Sequence, residues 1–279
     1  MRNRRNRRRG WAPALLLVAG AVVWAAASPA DKHATHTTST VSAAVSRPVT
    51  AAASAPAPAA ALAGRTITVD PGHNGGNFTH PQQISRLVPD GNGEKECDTT
   101  GTAAPDGYRE TDFNWSVAVR LRALLQAAGA RVVMTRTGND GVGPCVNERA
   151  AIGNRADSDA AISIHADGGP PGGSGFAVLV PAPIPGGADG RIIGPSRRLG
   201  EDVRAQLETI GLLHTSTYDG RDGIAPRTDL GGLNLSRVPK VFVEVANMQN
   251  RADEAPMERA SYRERVARAL LAAFERFLP

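Results

Sequence analysis

Apolar and polar positions along this chain follow two rhythms. Thr66-Ile67-Thr68-Val69-Asp70 ends in Pro71-Gly72 and delivers His73, and Ala160-Ala161-Ile162-Ser163-Ile164 ends in His165. Lys240-Val241-Phe242-Val243-Glu244-Val245 carries a lone carboxylate inside an apolar run. Such β-branched runs read as strands, and a turn at a strand's carboxyl end is how a parallel sheet presents a reactive side chain. Between them the period is helical. Val117, Leu121, Leu124, Leu125 and Ala128 share one face, Gly129 stops the helix, and Thr111 or Asp112 is the expected N-cap, which places Glu110 just before the first turn. Further strands are expected at 131–135 and 175–180, and helices at 147–155 and at 195–210, the latter stopped by Gly211. A final helix sets Tyr262, Val266, Ala269, Leu270, Ala273, Phe274 and Phe277 in one stripe. Strands alternating with helices predict an α/β fold, a single domain with a mostly parallel twisted sheet and helices on both faces. In such a sheet the ligand crevice lies beyond the carboxyl ends of the strands, where His73 and His165 both fall.

The stretches without a period divide the chain. Residues 1–30 open with six arginines in the first ten positions, continue through an apolar run from Trp11 to Ala27 and end in Ser28-Pro29-Ala30, the order of an export signal, with a retained anchor as the alternative. Residues 31–64 are Ala, Ser, Thr and Pro with almost no charge and read as a disordered linker. The domain is expected over 65–279. Within it, the excursion from Asn74 to Arg109 is too long for a simple connection and is expected to shape a site, and the 181–195 loop is a candidate gate.

Charge alters this picture once the leader is set aside. The formal net charge is +5, from 32 Lys and Arg against 27 Asp and Glu. The six leader arginines account for all of that excess, so the rest of the chain carries no basic surplus to recruit nucleic acid, and aromatic residues are too sparse for base-stacking platforms.

Two imidazoles and a carboxylate at strand ends suit zinc, with a fourth position left to water or substrate, although a strand-end histidine is as often a packed residue as a ligand. The absence of a Gly-x-Ser-x-Gly elbow disfavours a serine nucleophile. His80 and His214 read as solvated residues, Asp70 as fixing the turn beside Pro71, and Glu148 and Arg149 as a structural pair, with Glu148 also a candidate for the rim of the site. Arg227 and Asp229 fit either a substrate groove or a loop cap.

Ordered motifs then carry a resemblance over residues 65–278. They are Val69-Asp70-Pro71-Gly72-His73-Asn74-Gly75, Glu110 heading a helix, Thr135-Arg136, and Asn147-Glu148-Arg149 with Asn154. They continue with Ser163-Ile164-His165-Ala166-Asp167, Arg227-Thr228-Asp229-Leu230, and Val243-Glu244 leading to Asn250. The chain resembles the zinc-dependent N-acetylmuramoyl-L-alanine amidases that cleave peptidoglycan, most closely their compact actinobacterial type. The resemblance implies one Zn2+ held by His73, Glu110 and His165, with Glu244 as the catalytic carboxylate. It also implies hydrolysis of the amide between N-acetylmuramic acid and L-alanine, peptidoglycan or muropeptides as partner, and a monomer acting outside the cytoplasm. Asp167 stands where Asn is commoner and Ala246-Asn247 where Gly-Phe is frequent, neither being a ligand position. A zinc peptidase cutting within the stem peptide and a non-catalytic wall-fragment binder are the alternatives, and Glu94 or Glu96 could replace Glu110 as third ligand.

Cys97 and Cys145 are the only cysteines. Export places them in an oxidising compartment, so they are expected to pair and to tie the 74–109 excursion to the turn before the 147–155 helix; zinc ligation is the competing use, but no Cys-x-x-Cys spacing is present.

Overall fold

The computed structural model describes residues 60–185, 190–211 and 214–279. The arginine leader, the linker up to residue 59 and part of the 181–195 loop lie outside the described residues. In chain order the elements are β1 (Thr66–Pro71), a 3-10 turn (Asn77–Thr79), α1 (Pro81–Ile84), β2 (Leu87–Pro89), β3 (Glu94–Glu96), α2 (Glu110–Ala127), β4 (Arg131–Met134) and α3 (Val146–Arg155). They continue with β5 (Ala160–Asp167), β6 (Ala177–Pro181), α4 (Gly190–Glu208), β7 (Ile224–Arg227), α5 (Gly231–Asn234), β8 (Lys240–Asn247), α6 (Arg251–Met257) and α7 (Ala260–Phe277).

Six strands form one sheet in the order β4-β1-β5-β8-β6-β7, and β2 and β3 form a separate hairpin. The first four run parallel, whereas β6 is antiparallel to β8 and carries β7 parallel to itself at the edge. The expected mostly parallel α/β domain is therefore what forms. Because side chains alternate across a strand, the sheet has two different faces. Ile67 and Val69, Ile162 and Ile164, Val178 and Val180, and Val241, Val243 and Val245 join the main apolar core. That core is closed by the stripes of α2, α4 and α7, with α2 and α4 each packing on α7. The alternate positions Asp70, Ser163, His165, Phe242 and Glu244 face the other way, where α3 and α5 give only partial cover and a cleft opens.

Several boundaries differ from the sequence reading. Leu62 is fully buried and its N–H donates to Ala128 O at 2.8 Å, so the packed chain starts ahead of Arg65. Gly129, at φ +93°, both ends the α2 segment and leaves room for this approach, since a Cβ there would lie 2.7 Å from Ala60 Cβ. Helix α2 begins at Glu110 with Arg109 as N-cap, so Thr111 and Asp112 lie inside its first turn, and Asp112 pairs with Arg109 at 2.8 Å. The reason is a reciprocal clamp: Glu110 N donates to Thr102 O at 3.0 Å, and Thr102 N donates to Glu110 Oε2 at 2.9 Å. Helix α4 starts ahead of Pro195 and carries that proline within it. Strand β7 and the β2–β3 hairpin carry no expectation from the sequence, because strands of three or four residues holding Pro226 or Pro89 have no readable period. Cys97 and Cys145 form the expected disulfide, with Cα atoms 4.4 Å apart.

Candidate metal centre

The site begins with a strained residue. His73 has φ +52°, a conformation a non-glycine side chain adopts only when its surroundings impose it. Gly72 before it is required by packing, because a Cβ there would lie 2.0–2.4 Å from atoms of the His165 ring. Phe242 stacks on His165 with centroids 3.8 Å apart and planes at 15°. The His73 ring meets the His165 ring edge-on at 4.8 Å.

Glu110 lies between the two imidazoles. Its Oε1 is 2.9 Å from His165 Nδ1 and 3.5 Å from His73 Nε2, and it also accepts from Asn114 Nδ2 at 3.1 Å. Standing at the first turn of an 18-residue helix, its carboxylate also sits where the helix dipole favours negative charge. Burial opposes its ionisation, yet His73, His165 and the Thr102 N–H hold its pKa at about 2. Burial likewise opposes charging His73, but Glu110 and Asp98 outweigh it and raise that pKa, whereas burial prevails at His165 and lowers it. The ligand atoms of His73, Glu110 and His165 all lie within 4.8 Å of one another. The donor set fits zinc: two neutral imidazoles and one carboxylate, with a position left open. His73 fits in a second respect, because its Nδ1 is engaged by Asp98 Oδ1 at 2.9 Å, which leaves Nε2 for a metal, the carboxylate–histidine arrangement that orients metal ligands.

Glu244 is the neighbour of His165 in the β5–β8 register. Its Oε2 is buried without a hydrogen-bond partner, and burial, followed by the carboxylates of Glu110, Asp167 and Asp219, raises its pKa well above the ordinary value. All four residues line a cleft of about 450 Å³, together with Lys95, Glu96, Leu230 and Phe242.

The other candidates stand outside the three-ligand cluster. Glu94 and Glu96 are exposed on the hairpin, and the close cluster with the histidines uses Glu110 instead. Glu148 points away and pairs with Arg155, not with Arg149. His80 bonds within its own loop to Gly76 O at 2.8 Å, and His214 to Thr215 O at 2.9 Å. Arg227 pairs with Asp229 two residues on and lies 3.7 Å from Asp219, the bonds of a loop cap. Asp167 accepts from the Tyr218 hydroxyl at 2.7 Å, and Asn247 anchors the 170–173 loop through Pro170 O and Gly173 O. Asp70 is a buried charge that joins neighbouring elements and makes no bond within the turn: it accepts from Thr135, Arg149, Ser163 and Lys240 at 2.7–3.2 Å. Asp98, Lys240, Tyr218 and Phe242 were not legible as site residues; the only local signal was that Asp98 follows a cysteine.

The chain is similar to known proteins over most of the described residues. A family model described as N-acetylmuramoyl-L-alanine amidase matches residues 67–276. The N-acetylmuramoyl-L-alanine amidase Rv3717 of Mycobacterium tuberculosis is 42% identical over 218 residues, covering 78% of this chain and 88% of that protein. The crystal structure of the N-acetylmuramyl-L-alanine amidase Ami1 from Mycobacterium smegmatis superposes with a TM-score of 0.73 at 43% identity, over 78% of this chain and 98% of its own. Ami1 from Mycobacterium abscessus gives the same TM-score at 41% identity, over 78% of this chain and 100% of its own.

Proposed function

The chain belongs to the N-acetylmuramoyl-L-alanine amidase family, and from that premise we propose that it hydrolyses the amide joining N-acetylmuramic acid to L-alanine in peptidoglycan, with zinc held by His73, Glu110 and His165 and with Glu244 as the catalytic carboxylate. The observation that carries the reading is the meeting, in one cleft, of a three-ligand set and an adjacent carboxylate with an unpartnered oxygen.

When bound, zinc supplies a Lewis acid that polarises the scissile carbonyl and lowers the pKa of a water from 15.7 toward about 7. Glu244 takes the proton of the attacking water on its free oxygen and returns it to the nitrogen of the departing L-alanine, so that a C–O bond forms as the C–N bond breaks and no covalent enzyme intermediate is needed. Glu110 cannot share this task. Its pKa of about 2 and its bonds to His165, Asn114 and Thr102 leave it anionic and fixed, as a ligand must be. His165, clamped between Phe242 and Gly72, is held against rotation. The arginine-rich apolar leader supports action outside the cytoplasm, where peptidoglycan lies.

The test is mass spectrometry of muropeptides digested with purified protein, with and without a chelator. Free stem peptide with an unblocked L-alanine amine, abolished by the chelator and restored by zinc, is the expected result. Cleavage within the stem would make the protein a peptidase, and bound but intact muropeptide would make it a binding module.

A further inference from the structure

We propose that Asp98 and Arg149 are the positioning residues of the metal centre, acting together on His73; the inference rests on the reading of His73 as a zinc ligand. His73 is held in its left-handed conformation at its carbonyl and at ring Nδ1, and one guanidinium reaches both, with Thr99 O a further neighbour of Nδ1 at 3.2 Å. Arg149 Nη2 donates to His73 O at 3.1 Å and to Asp98 Oδ2 at 3.1 Å, while Asp98 Oδ1 accepts from His73 Nδ1 at 2.9 Å. The other arm, Nη1, donates to Pro71 O at 2.8 Å and to Asp70 Oδ1 at 2.9 Å. One planar fork therefore fixes the main chain on both sides of Gly72 and, through Asp98, whose Oδ1 is nearer to Nδ1 than Thr99 O is, orients the ring. A lysine at this position could not do the same, because a single ammonium lacks the divergent coplanar donors that reach two carbonyls and two carboxylates at once.

The pair is built into the fold by the disulfide. Asp98 directly follows Cys97, and Arg149 lies in the helix whose N-cap is Cys145. Val146 N donates to Cys97 O at 2.8 Å, which sets the register between the two segments. Asp98 is otherwise committed through Thr99 N, which donates to Oδ1 at 2.8 Å, so all the bonds on this carboxylate need it to be an acceptor.

Asp98→Asn tests this directly. The variant keeps the size but places an NH2 group against either Arg149 or the donating Nδ1 of His73, so one step of the relay is lost whichever way the amide turns. The expected result is a zinc Kd, measured by competition with a chelator of known affinity, weakened about 10- to 100-fold, while the chelated protein keeps its disulfide and melts lower, because buried Arg149 loses one of its two carboxylate partners. Arg149→Lys is expected to weaken zinc at least as much. In zinc-loaded wild type labelled with 15N-histidine, His73 is expected to carry its proton on Nδ1 and its metal on Nε2. A Kd for Asp98→Asn within twofold of wild type overturns the positioning role alone. If that variant fails to fold, ligation of wild-type His73 through Nδ1 overturns it equally. A wild type whose zinc affinity is untouched by His73→Ala overturns the ligand reading, and this inference with it.

Discussion

The two faces of the central sheet are made by the same strands and obey different chemistry. On one face Ile67, Val69, Ile162, Ile164, Val241, Val243 and Val245 meet only apolar stripes from α2, α4 and α7. On the other, the intervening positions place Asp70, Ser163, His165, Lys240, Phe242 and Glu244 under thin cover. The apolar face is held by area removed from water, which is non-directional. The polar face is held by a hydrogen-bonded charge network, which is directional and fails when one member is lost. A fold that needs a precise ligand geometry can thus keep its stability on one side of a strand and its specificity on the other, one residue apart.

The largest expected break in this comparison is at Glu244. Glu244→Gln is expected to lower turnover about 10²- to 10⁴-fold, because the proton acceptor is removed without touching a ligand. Zinc content should be unchanged. The stability effect has the opposite sign: a carboxyl whose folded pKa is raised contributes stability below its ordinary pKa and loses it as pH rises through the folded value. The metal-free variant should therefore melt higher than metal-free wild type at neutral pH and no differently in acid. Turnover near the wild-type level would remove Glu244 from the mechanism, and loss of zinc would make it a ligand.

Next in size is Asp70. Removing its charge leaves buried Arg149 and Lys240 uncompensated, so Asp70→Asn should cost about 3–5 kcal/mol. Ile162→Ala, from the apolar face of the neighbouring strand, should cost a similar amount, about 2–5 kcal/mol. Zinc affinity separates them, falling for Asp70→Asn and holding for Ile162→Ala. Although burial alone would raise it, Lys240 and Arg149 hold the Asp70 pKa far below the ordinary carboxylate range. Its contribution is therefore present above the ordinary carboxylate pKa and lost as pH falls. Urea titrations against pH should show wild type losing more stability in acid than the variant, whose remaining loss comes from Asp98 and Glu110; parallel pH profiles would remove Asp70 as a source.

The sequence displayed this site unevenly, for reasons the two faces make plain. His73, His165 and Glu244 announce themselves because each interrupts or ends an apolar strand, and Glu110 because it heads a periodic helix. Asp98, Arg149 and Lys240 carry no such mark. Arg149 lies 79 residues from Asp70 and 51 from Asp98, so the sequence pairs it with neighbouring Glu148 and shows neither of its buried partners. Glu148, beside it in sequence, was the candidate for the rim and instead faces solvent, because consecutive helical residues do not share a face.

The disulfide comes third, since it supports the polar face from outside the sheet. It spans 48 residues, and closing a loop of that length is worth about 4 kcal/mol in the chain-entropy model. The double variant Cys97→Ser, Cys145→Ser should melt about 5–15 °C lower. Its zinc affinity should fall less than that of Asp98→Asn, because the Val146 N to Cys97 O bond still sets the register. Thiol titration of the non-reduced protein checks the premise, and two reactive thiols would refute it.

The smallest expected effect gives the finest test of the comparison, because it uses two adjacent residues of one strand. Phe242 points to the cleft and stacks on His165, whereas Val243 points into the apolar core. Stacked rings of this kind are worth about 0.5–1.5 kcal/mol beyond their buried area. Phe242→Leu keeps an apolar side chain beside the imidazole but loses the flat face that opposes Gly72. If that face is what stops His165 from rotating away from Glu110, zinc should bind about 2- to 10-fold more weakly, which is the same interval of free energy. The melting temperature of the chelated protein should scarcely move, since Phe242 is only partly buried and borders the smaller cluster with Leu179 and Leu233. Val243→Ala should do the reverse, lowering the melting temperature through the void it leaves in the main core while leaving zinc affinity alone. Calorimetric melting with chelator and zinc competition titrations on both variants decide the matter. Equal loss of zinc affinity in the two would mean that the position of β8 as a whole, and not the ring on His165, sets the metal site, and the separation between the two faces would fail at the residue where it should be sharpest.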